Sequence, residues 1–122
     1  MKTILVVDDD EETLNVLSRT LAAGGFDVLW ARNGVDALDL LARSDCTVDL
    51  MLVDVVLPWL SGPKFVEHLT QKQAGVRVVY ISAYDAETVK KHGVDPTSLP
   101  FVAKPYEPAE LLRVIHETLI EG

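Results

Sequence analysis

The chain has 122 residues, enough for one domain with a single hydrophobic core, and 48% of them are hydrophobic, which argues against disorder. The formal net charge of −8 argues against direct binding to nucleic acid or to an anionic membrane, because no basic stripe is available to pair with phosphates. The single Cys46 excludes an internal disulfide. Since there is neither a signal-like N-terminus nor a long apolar run, we expect one soluble cytoplasmic domain over residues 1–122.

A short apolar run opens the chain and ends at a row of acids. Residues 3–7 are almost wholly apolar, which predicts a buried strand, and Asp8, Asp9 and Asp10 follow it. Leucines then recur at helical spacing until Gly24, so the acidic turn leads into a helix. The helix dipole explains acids in a first helical turn, but it explains Asp8 and Asp9 less well because they lie at the strand end.

The rest of the chain alternates between strand and helix patterns. Further strands are predicted at residues 26–31, 50–54, 76–81 and 101–103. Helices are predicted to begin at Asn33-Gly34, at Pro63, near Asp85 and at Pro108, the third of these being short. Three of them have predicted inward faces, formed by Val35, Leu38 and Leu41, by Phe65, Val66 and Leu69, and by Leu112, Ile115 and Leu119. Crossovers of a dozen or more residues imply a parallel sheet with helices on both faces.

Asp54 interrupts the most apolar strand. It follows Leu50-Met51-Leu52-Val53 directly and precedes a turn rich in Pro and Gly. Ionised carboxylates are rarely buried unless they are paired or bind a cation, so we expect Asp54 at the mouth of the strand, facing charged groups. This stretch alone does not exclude the alternative that Asp54 is a helix N-cap or an acid in a loop.

Chemically active side chains follow four of the five predicted strands. Sites in open parallel sheets lie beyond the carboxyl ends of the strands, where Asp8-Asp9, Asp54, Ser82 and Lys104 stand here. Three converging carboxylates repel one another unless a cation lies among them, and oxygen ligands at this density suit Mg²⁺. The lysine ammonium and the serine hydroxyl can donate hydrogen bonds to phosphoryl oxygens, and an aspartate carboxylate can attack phosphorus. No glycine-rich phosphate loop follows the first strand, which argues against dinucleotide or P-loop binding.

Together these residues resemble the receiver domain of two-component response regulators. The resemblance covers essentially the whole chain and rests on four motifs in order: Asp8-Asp9 after Ile4-Leu5-Val6-Val7, Asp54-Val55-Val56-Leu57-Pro58 with Ser61-Gly62, Ser82-Ala83, and Lys104-Pro105. It implies a flavodoxin-like, doubly wound α/β fold. The five-stranded parallel sheet would have the order 2-1-3-4-5, with five helices of which the fourth is short or irregular.

The resemblance implies that Asp54 accepts a phosphoryl group from a histidine kinase or a histidine phosphotransfer protein. Asp9, Asp54 and the backbone carbonyl of Val56 would bind Mg²⁺, and Asp8 would act on the ion mainly through water. The protein would then be a signalling switch that assists its own phosphorylation and dephosphorylation, and it would not be an ordinary enzyme.

The resemblance also implies which residues respond to phosphorylation. Lys104 would pair with Asp54 and then with its phosphate, while Ser82 would turn toward the phosphoryl group together with Phe101. The Lys104-Pro105 bond would be cis. A downstream protein would bind near the fourth and fifth strands, where Val102, Tyr106 and Leu111 are candidates for an exposed apolar face.

Two positions differ from the commonest patterns of the family. Val56 is apolar and Tyr84 is a bulky aromatic, so neither orients a hydrolytic water as a carboxylate or an amide does. We therefore expect slow loss of phosphate. The stretch from Ser82 to Tyr106 also resembles receivers attached to hybrid sensor kinases, so the chain represents either such a receiver or a single-domain regulator.

Two alternative functions remain open at this point. One is a receiver-like module that binds partners without phosphorylation, although the intact set of site residues argues against it. The other is a phosphohydrolase of the haloacid dehalogenase type, with a nucleophilic aspartate after the first strand. Asp8 and Asp10 fit the acid pair of that motif, but Glu12 stands where Thr or Val is expected, and no cap domain is present.

Overall fold

The computed structural model describes residues 2–43, 47–57, 64, 66–67, 75–97 and 99–120. Five strands and four helices are defined in this part of the chain. In order they are β1 (Thr3–Val7), α1 (Glu11–Ala23), β2 (Asp27–Ala31), α2 (Gly34–Arg43), β3 (Leu50–Asp54), β4 (Arg77–Ser82), α3 (Ala86–Lys91), β5 (Phe101–Ala103) and α4 (Pro108–Ile120). The predicted start of a helix at Pro63, the turn at Pro58 to Gly62, and Cys46 lie outside the described residues.

The five strands form one parallel sheet with the order β2-β1-β3-β4-β5, as predicted. Val7 of β1 pairs with Ala31 of β2 on one side and with Val53 of β3 on the other. The strand order therefore reverses at β1. The next pairs along the sheet are Asp54 with Ile81 and Ser82 with Ala103. The four predicted site positions therefore lie along one edge of the sheet, flanking the switch in strand order.

Strand residues alternate between two apolar layers. Ile4 and Val6 pack on the side of α1 and α4, while Leu5 and Val7 pack on the opposite side with residues of α2 and α3. Every residue of β3 is buried, because helices cover both faces of the central strand. This explains why the strands appear in the sequence as continuous apolar runs.

Local signals define the helices next to the site. The Asp10 side chain caps α1 by accepting a hydrogen bond from the Glu12 N–H, and Glu11 and Glu12 lie in its first turn. Asp85 caps α3 in the same way, and α3 spans only six residues before Gly93 turns the chain with φ +90. The prediction of a short helix after the fourth strand is confirmed.

The predicted inward faces of α2 and α4 are confirmed except at Val35, because Leu38, Leu41, Leu112 and Leu119 are partly buried against the core. On α2, Val35 is 68% exposed, and the contact is centred on the fully buried Ala37. On α4, the buried residues are Leu111, Ile115 and Thr118, and the predicted residues Leu112 and Leu119 pack at the margin of the same face. Each residue turns a helix by about 100°, so a shift of one position moves a side chain off the core.

The predicted apolar docking face is also corrected. Val102 is 3% exposed and Leu111 is fully buried, because both pack in the core on the side of α1 and α4. Tyr106 is half-buried against the same layer. None of the helices in the described part of the chain is long and apolar enough to cross a membrane.

Candidate functional site

The end of β1 places two adjacent aspartates in different environments. Asp8 is fully buried, and Asp9 is exposed. The Asp8 N–H donates to the carbonyl of Ala31 at 3.2 Å, which ties the turn to the end of β2. Asp8 Oδ1 accepts from the Asp10 N–H at 2.9 Å. A buried carboxylate needs such donors, and this one is supplied by the first residues of the turn itself.

Asp54 lies at the carboxyl end of β3 and is 7% exposed. Its Oδ1 accepts from the Val56 N–H at 3.0 Å, which closes a tight turn directly after the strand. The Val55 N–H donates to the carbonyl of Ile81 at 3.1 Å and holds the same turn against β4. The backbone therefore fixes the orientation of the Asp54 carboxylate.

Lys104 joins the two buried carboxylates. Its Nζ lies 2.6 Å from Asp8 Oδ2 and 3.2 Å from Asp54 Oδ2. The Lys104 N–H donates to the carbonyl of Ser82 at 2.9 Å, so the end of β4 positions the lysine backbone. The Lys104–Pro105 peptide bond is cis, as the resemblance implied.

Burial and neighbouring charges shift the pKa values of Asp54 and Lys104. Burial raises the pKa of Asp54 from 3.8 to about 6, against the opposing effects of the Lys104 charge and the Val56 N–H. For Lys104, burial acts to lower the pKa, but the hydrogen bond that its ammonium donates to Asp8 and the charge of Asp54 outweigh this effect, and the pKa is raised. Lys104 therefore stays a fixed positive charge at neutral pH.

Asp8, Asp9 and Asp54 fit a divalent cation. Each offers one carboxylate oxygen, and these atoms lie within 4.8 Å of one another. Ligands about 2.1 Å from an octahedral Mg²⁺ are separated by roughly 3 to 4 Å, so modest adjustment brings the three oxygens onto one ion. The three carboxylates and Lys104 leave two uncompensated negative charges, which match the charge of Mg²⁺.

Ser82 and Phe101 lie at the edge of this cluster. Ser82 is fully buried at the end of β4, and its Oγ accepts from the Tyr84 N–H at 3.0 Å. Phe101 is half-buried at the start of β5 and packs against the core on the side of α2 and α3. The structure thus brings Asp8, Asp9, Asp54 and Lys104 together and connects Ser82 to them through the backbone.

The sequence reasoning missed two donors of this site. The backbone N–H groups of Asp10 and Val56 each hold a carboxylate two residues earlier in the chain. The signal was present, because an aspartate at the start of a turn commonly accepts a hydrogen bond from the residue two positions on.

Comparison with known proteins identifies the family. Residues 4–116 match the family model of the response regulator receiver domain, and the chain belongs to that family. It is thus a receiver domain of the two-component class, a signalling domain regulated by phosphorylation.

Several proteins of this class are similar to the chain. It is 34% identical over 119 residues to the transcriptional regulatory protein CpxR of Escherichia coli, covering 98% of this chain and 50% of that protein. It is 36% identical to a cyclic di-GMP phosphodiesterase of Thermotoga maritima, covering 92% of this chain and 29% of that protein. The chain therefore spans half or less of these two relatives.

Solved structures agree with this assignment. A CheY-like response regulator receiver domain protein of Methanospirillum hungatei superposes with a TM-score of 0.84 at 26% identity, covering 99% of this chain and 95% of that one. The receiver domain of the hybrid histidine kinase CckA superposes with a TM-score of 0.79 at 28% identity, covering 96% of this chain and 98% of that one. Both confirm the predicted flavodoxin-like receiver fold.

The raised pKa of Asp54 predicts how stability depends on pH when no metal is bound. The unfolded chain ionises near 3.8 and the folded protein at about 6, so ionising Asp54 costs folding free energy. This cost is absent at low pH and complete above the folded pKa. At roughly 1.4 kcal/mol per pKa unit, it is at most about 3 kcal/mol.

We therefore expect Asp54→Asn to raise the melting temperature at pH 7.5 in EDTA, and the gain to disappear as the pH falls from 6 to 4. Thermal unfolding followed by circular dichroism measures this gain. Asp27→Asn, at an exposed aspartate on β2, controls for the loss of one negative charge. A gain that is constant with pH, or largest near pH 4, would contradict the account.

Proposed function

We propose that Asp54 is the phosphoacceptor of this receiver domain and takes a phosphoryl group from a phosphohistidine. An oxygen of the Asp54 carboxylate attacks phosphorus, the new O–P bond forms as the N–P bond breaks, and the bonding electrons remain on the imidazole nitrogen. The observation that supports this most strongly is the Lys104 ammonium held between Asp8 and Asp54, beside three convergent carboxylates.

Asp54 suits the role of acceptor better than the other two aspartates. Asp8 is fully buried, and its two oxygens are engaged by the Asp10 N–H and by Lys104 at 2.6 Å. Asp9 is exposed. Asp54 combines slight exposure, a fixed orientation from the Val56 N–H, and a longer contact of 3.2 Å to Lys104. The burial of Asp8 and the engagement of both of its oxygens also argue against a hydrolase in which Asp8 is the nucleophile.

Mg²⁺ would be held by Asp9, Asp54 and the carbonyl of Val56, with Asp8 acting mainly through water. Bound there, the ion supplies positive charge against the phosphoryl oxygens. Lys104 supplies charge from the other side, since its pKa is raised and it remains an ammonium. Together they offset the repulsion between a carboxylate and an incoming phosphoryl group.

The response would begin at Ser82 and Phe101. We propose that the Ser82 hydroxyl donates to the phosphoryl group while its oxygen still accepts from the Tyr84 N–H, and that Phe101 moves inward with it. The proposed partners are a histidine kinase or phosphotransfer protein as donor, and a downstream protein that binds near β4 and β5. Tyr84 and Leu99, which are 55% and 42% exposed, lie beside these strands. The cytoplasmic location remains a prediction.

Incubation with acetyl phosphate and Mg²⁺, followed by intact-protein mass measurement, tests this proposal. We expect a single phosphate adduct on the wild type, and no adduct on Asp54→Asn or in EDTA. An adduct that persists in Asp54→Asn would contradict the assignment of the acceptor. The absence of any adduct would favour a partner-binding module that works without phosphorylation, and steady release of phosphate independent of Asp54 would favour a hydrolase.

Val56 and Tyr84 predict how long the phosphate persists. Val56 is apolar and half-buried two residues after Asp54, and Tyr84 is an exposed aromatic two residues after Ser82, so neither orients an attacking water. We expect the acyl phosphate to outlast seconds, and Val56→Asn to shorten its lifetime several-fold by adding an amide. Loss of the adduct mass with time measures this. Val56→Ala removes bulk without adding a polar group, and an equal acceleration by Val56→Ala would contradict the role of water orientation.

A further inference from the structure

β2 forms one edge of the sheet, and β1 is its only neighbour among the described strands. At one end of this ladder, the Asp27 N–H donates to the carbonyl of Lys2 at 3.0 Å. At the other end, the Asp8 N–H donates to the carbonyl of Ala31 at 3.2 Å. Successive residues of a strand direct their backbone groups to opposite neighbours, so those of Asp27, Leu29 and Ala31 point toward β1.

The backbone groups of Val28 and Trp30 point away from the sheet. Their two N–H and two C=O groups make no hydrogen bond to any other described residue. The side chains from Val28 to Trp30 include no Pro and no charge, the usual features by which an edge strand avoids pairing. By contrast, β5 at the other edge has only three residues and is followed directly by Lys104 and Pro105. The edge at β2 is therefore the one that can accept a further strand.

A second copy of β2, running antiparallel, fits this edge. In an antiparallel ladder, two residues that face each other through their outward groups exchange two N–H···O bonds. If Val28 of one copy faces Trp30 of the other, the two-fold axis repeats the pair, and all the outward groups of both residues in both copies are bonded. The axis then passes between the two Leu29 residues. Registers centred on Val28 or on Trp30 would leave one of these residues without a partner inside the strand.

The same register brings apolar side chains together on both faces of the sheet. Val28 belongs to the layer of α1 and α4, and Trp30, two residues on, lies on the same face of the strand. Trp30 is 55% exposed, and in the pairing it would cover Val28 of the second copy. On the other face, Leu29 would meet its own counterpart. Aromatic residues opposite β-branched residues are among the cross-strand pairs that stabilise sheets.

The charges at the ends of this pairing are complementary. Asp27 would face Ala31 of the second copy, and Arg32 is the next residue after Ala31. Asp27 and Arg32 are both exposed, and neither has an ion-pair partner within the described part of the chain. The net charge of −8 on each copy opposes association, and this long-range repulsion is reduced by salt. The pairing is therefore weak and depends on protein concentration.

We propose that two copies of this chain associate through β2, in an antiparallel pair centred on Leu29, and form one continuous sheet with five strands from each copy. Because the two β2 strands run in opposite directions, the carboxyl ends of the two sets of strands lie at opposite ends of the joined sheet. Both copies of Asp54 therefore stay open to their partners. The association does not depend on phosphorylation of Asp54.

Disulfide cross-linking tests the register. In a Cys46→Ser background, Leu29→Cys places each new thiol opposite its counterpart, with Cα atoms roughly 4.5 Å apart, within the range of a disulfide. Asp27→Cys is the matched control, because position 27 lies four residues from its counterpart, roughly 13 Å along the strand. Under mild oxidation, we expect Leu29→Cys to form covalent dimers at least ten times faster than Asp27→Cys, although Asp27 is the more exposed residue.

Sedimentation equilibrium over a wide range of protein concentration measures the strength of the association. We expect Trp30→Lys to weaken the dimer at least tenfold, because it places a charge at the paired edge. Ile120→Lys, at an 81% exposed residue that ends α4, makes the same change in net charge and should stay within twofold of the wild type. Both substitutions make the chain less negative, so general repulsion between copies would predict a stronger dimer for both. The rate of phosphorylation by acetyl phosphate should be unchanged.

A charge exchange tests the ends of the pairing without altering its apolar centre. We expect Asp27→Arg and Arg32→Asp each to weaken the dimer several-fold, and the double variant to restore it to within twofold of the wild type. A wild type that stays monomeric at every concentration would overturn the proposal, and so would equal cross-linking of Leu29→Cys and Asp27→Cys. A dimer that neither Trp30→Lys nor the single charge variants weaken would also overturn it, because the copies would then meet at another surface.

Discussion

The Lys104 ammonium held between Asp8 and Asp54 is the interaction on which the site depends. Contacts of 2.6 and 3.2 Å join β1, β3 and β5 at one edge of the sheet. Without this charge, two buried carboxylates would stand side by side in a poorly solvated position, which is strongly unfavourable. One lysine compensates only part of the negative charge of Asp8, Asp9 and Asp54. The remaining negative charge would attract a divalent cation, and the bound cation would in turn attract a phosphoryl group.

The same arrangement links the site to the rest of the domain. The Lys104 N–H donates to the Ser82 carbonyl, and the Tyr84 N–H donates to the Ser82 hydroxyl, so one chain of contacts runs from the Asp54 carboxylate through Lys104 to the loop after β4. Burial raises the pKa of Asp54 because the folded protein holds a charge there that it does not fully solvate. A phosphoryl group on Asp54 would change that charge, and a protein with two conformations responds to such a change by shifting the balance between them.

Much of the fold and the site could be predicted from the sequence for a physical reason. A central parallel strand is buried on both faces, so it appears as an apolar run, and the residue that ends the run lies at the functional edge. This placed Asp8, Asp54 and Lys104 together. The exposure of Val35 on α2 could not be predicted, because apolar residues also occur on exposed faces of helices. The exposure of Leu111 was predicted wrongly, since only packing decides which side of a helix is covered.

The most direct test of the central claim is to locate the phosphoryl group chemically. Borohydride reduces an aspartyl phosphate to homoserine, so the phosphorylated protein is treated with borohydride, digested, and sequenced by tandem mass spectrometry. We expect homoserine at position 54, formed only when Mg²⁺ is present during phosphorylation. Homoserine at position 8 or 9, or a phosphate that remains on a serine or histidine after reduction, would contradict this expectation.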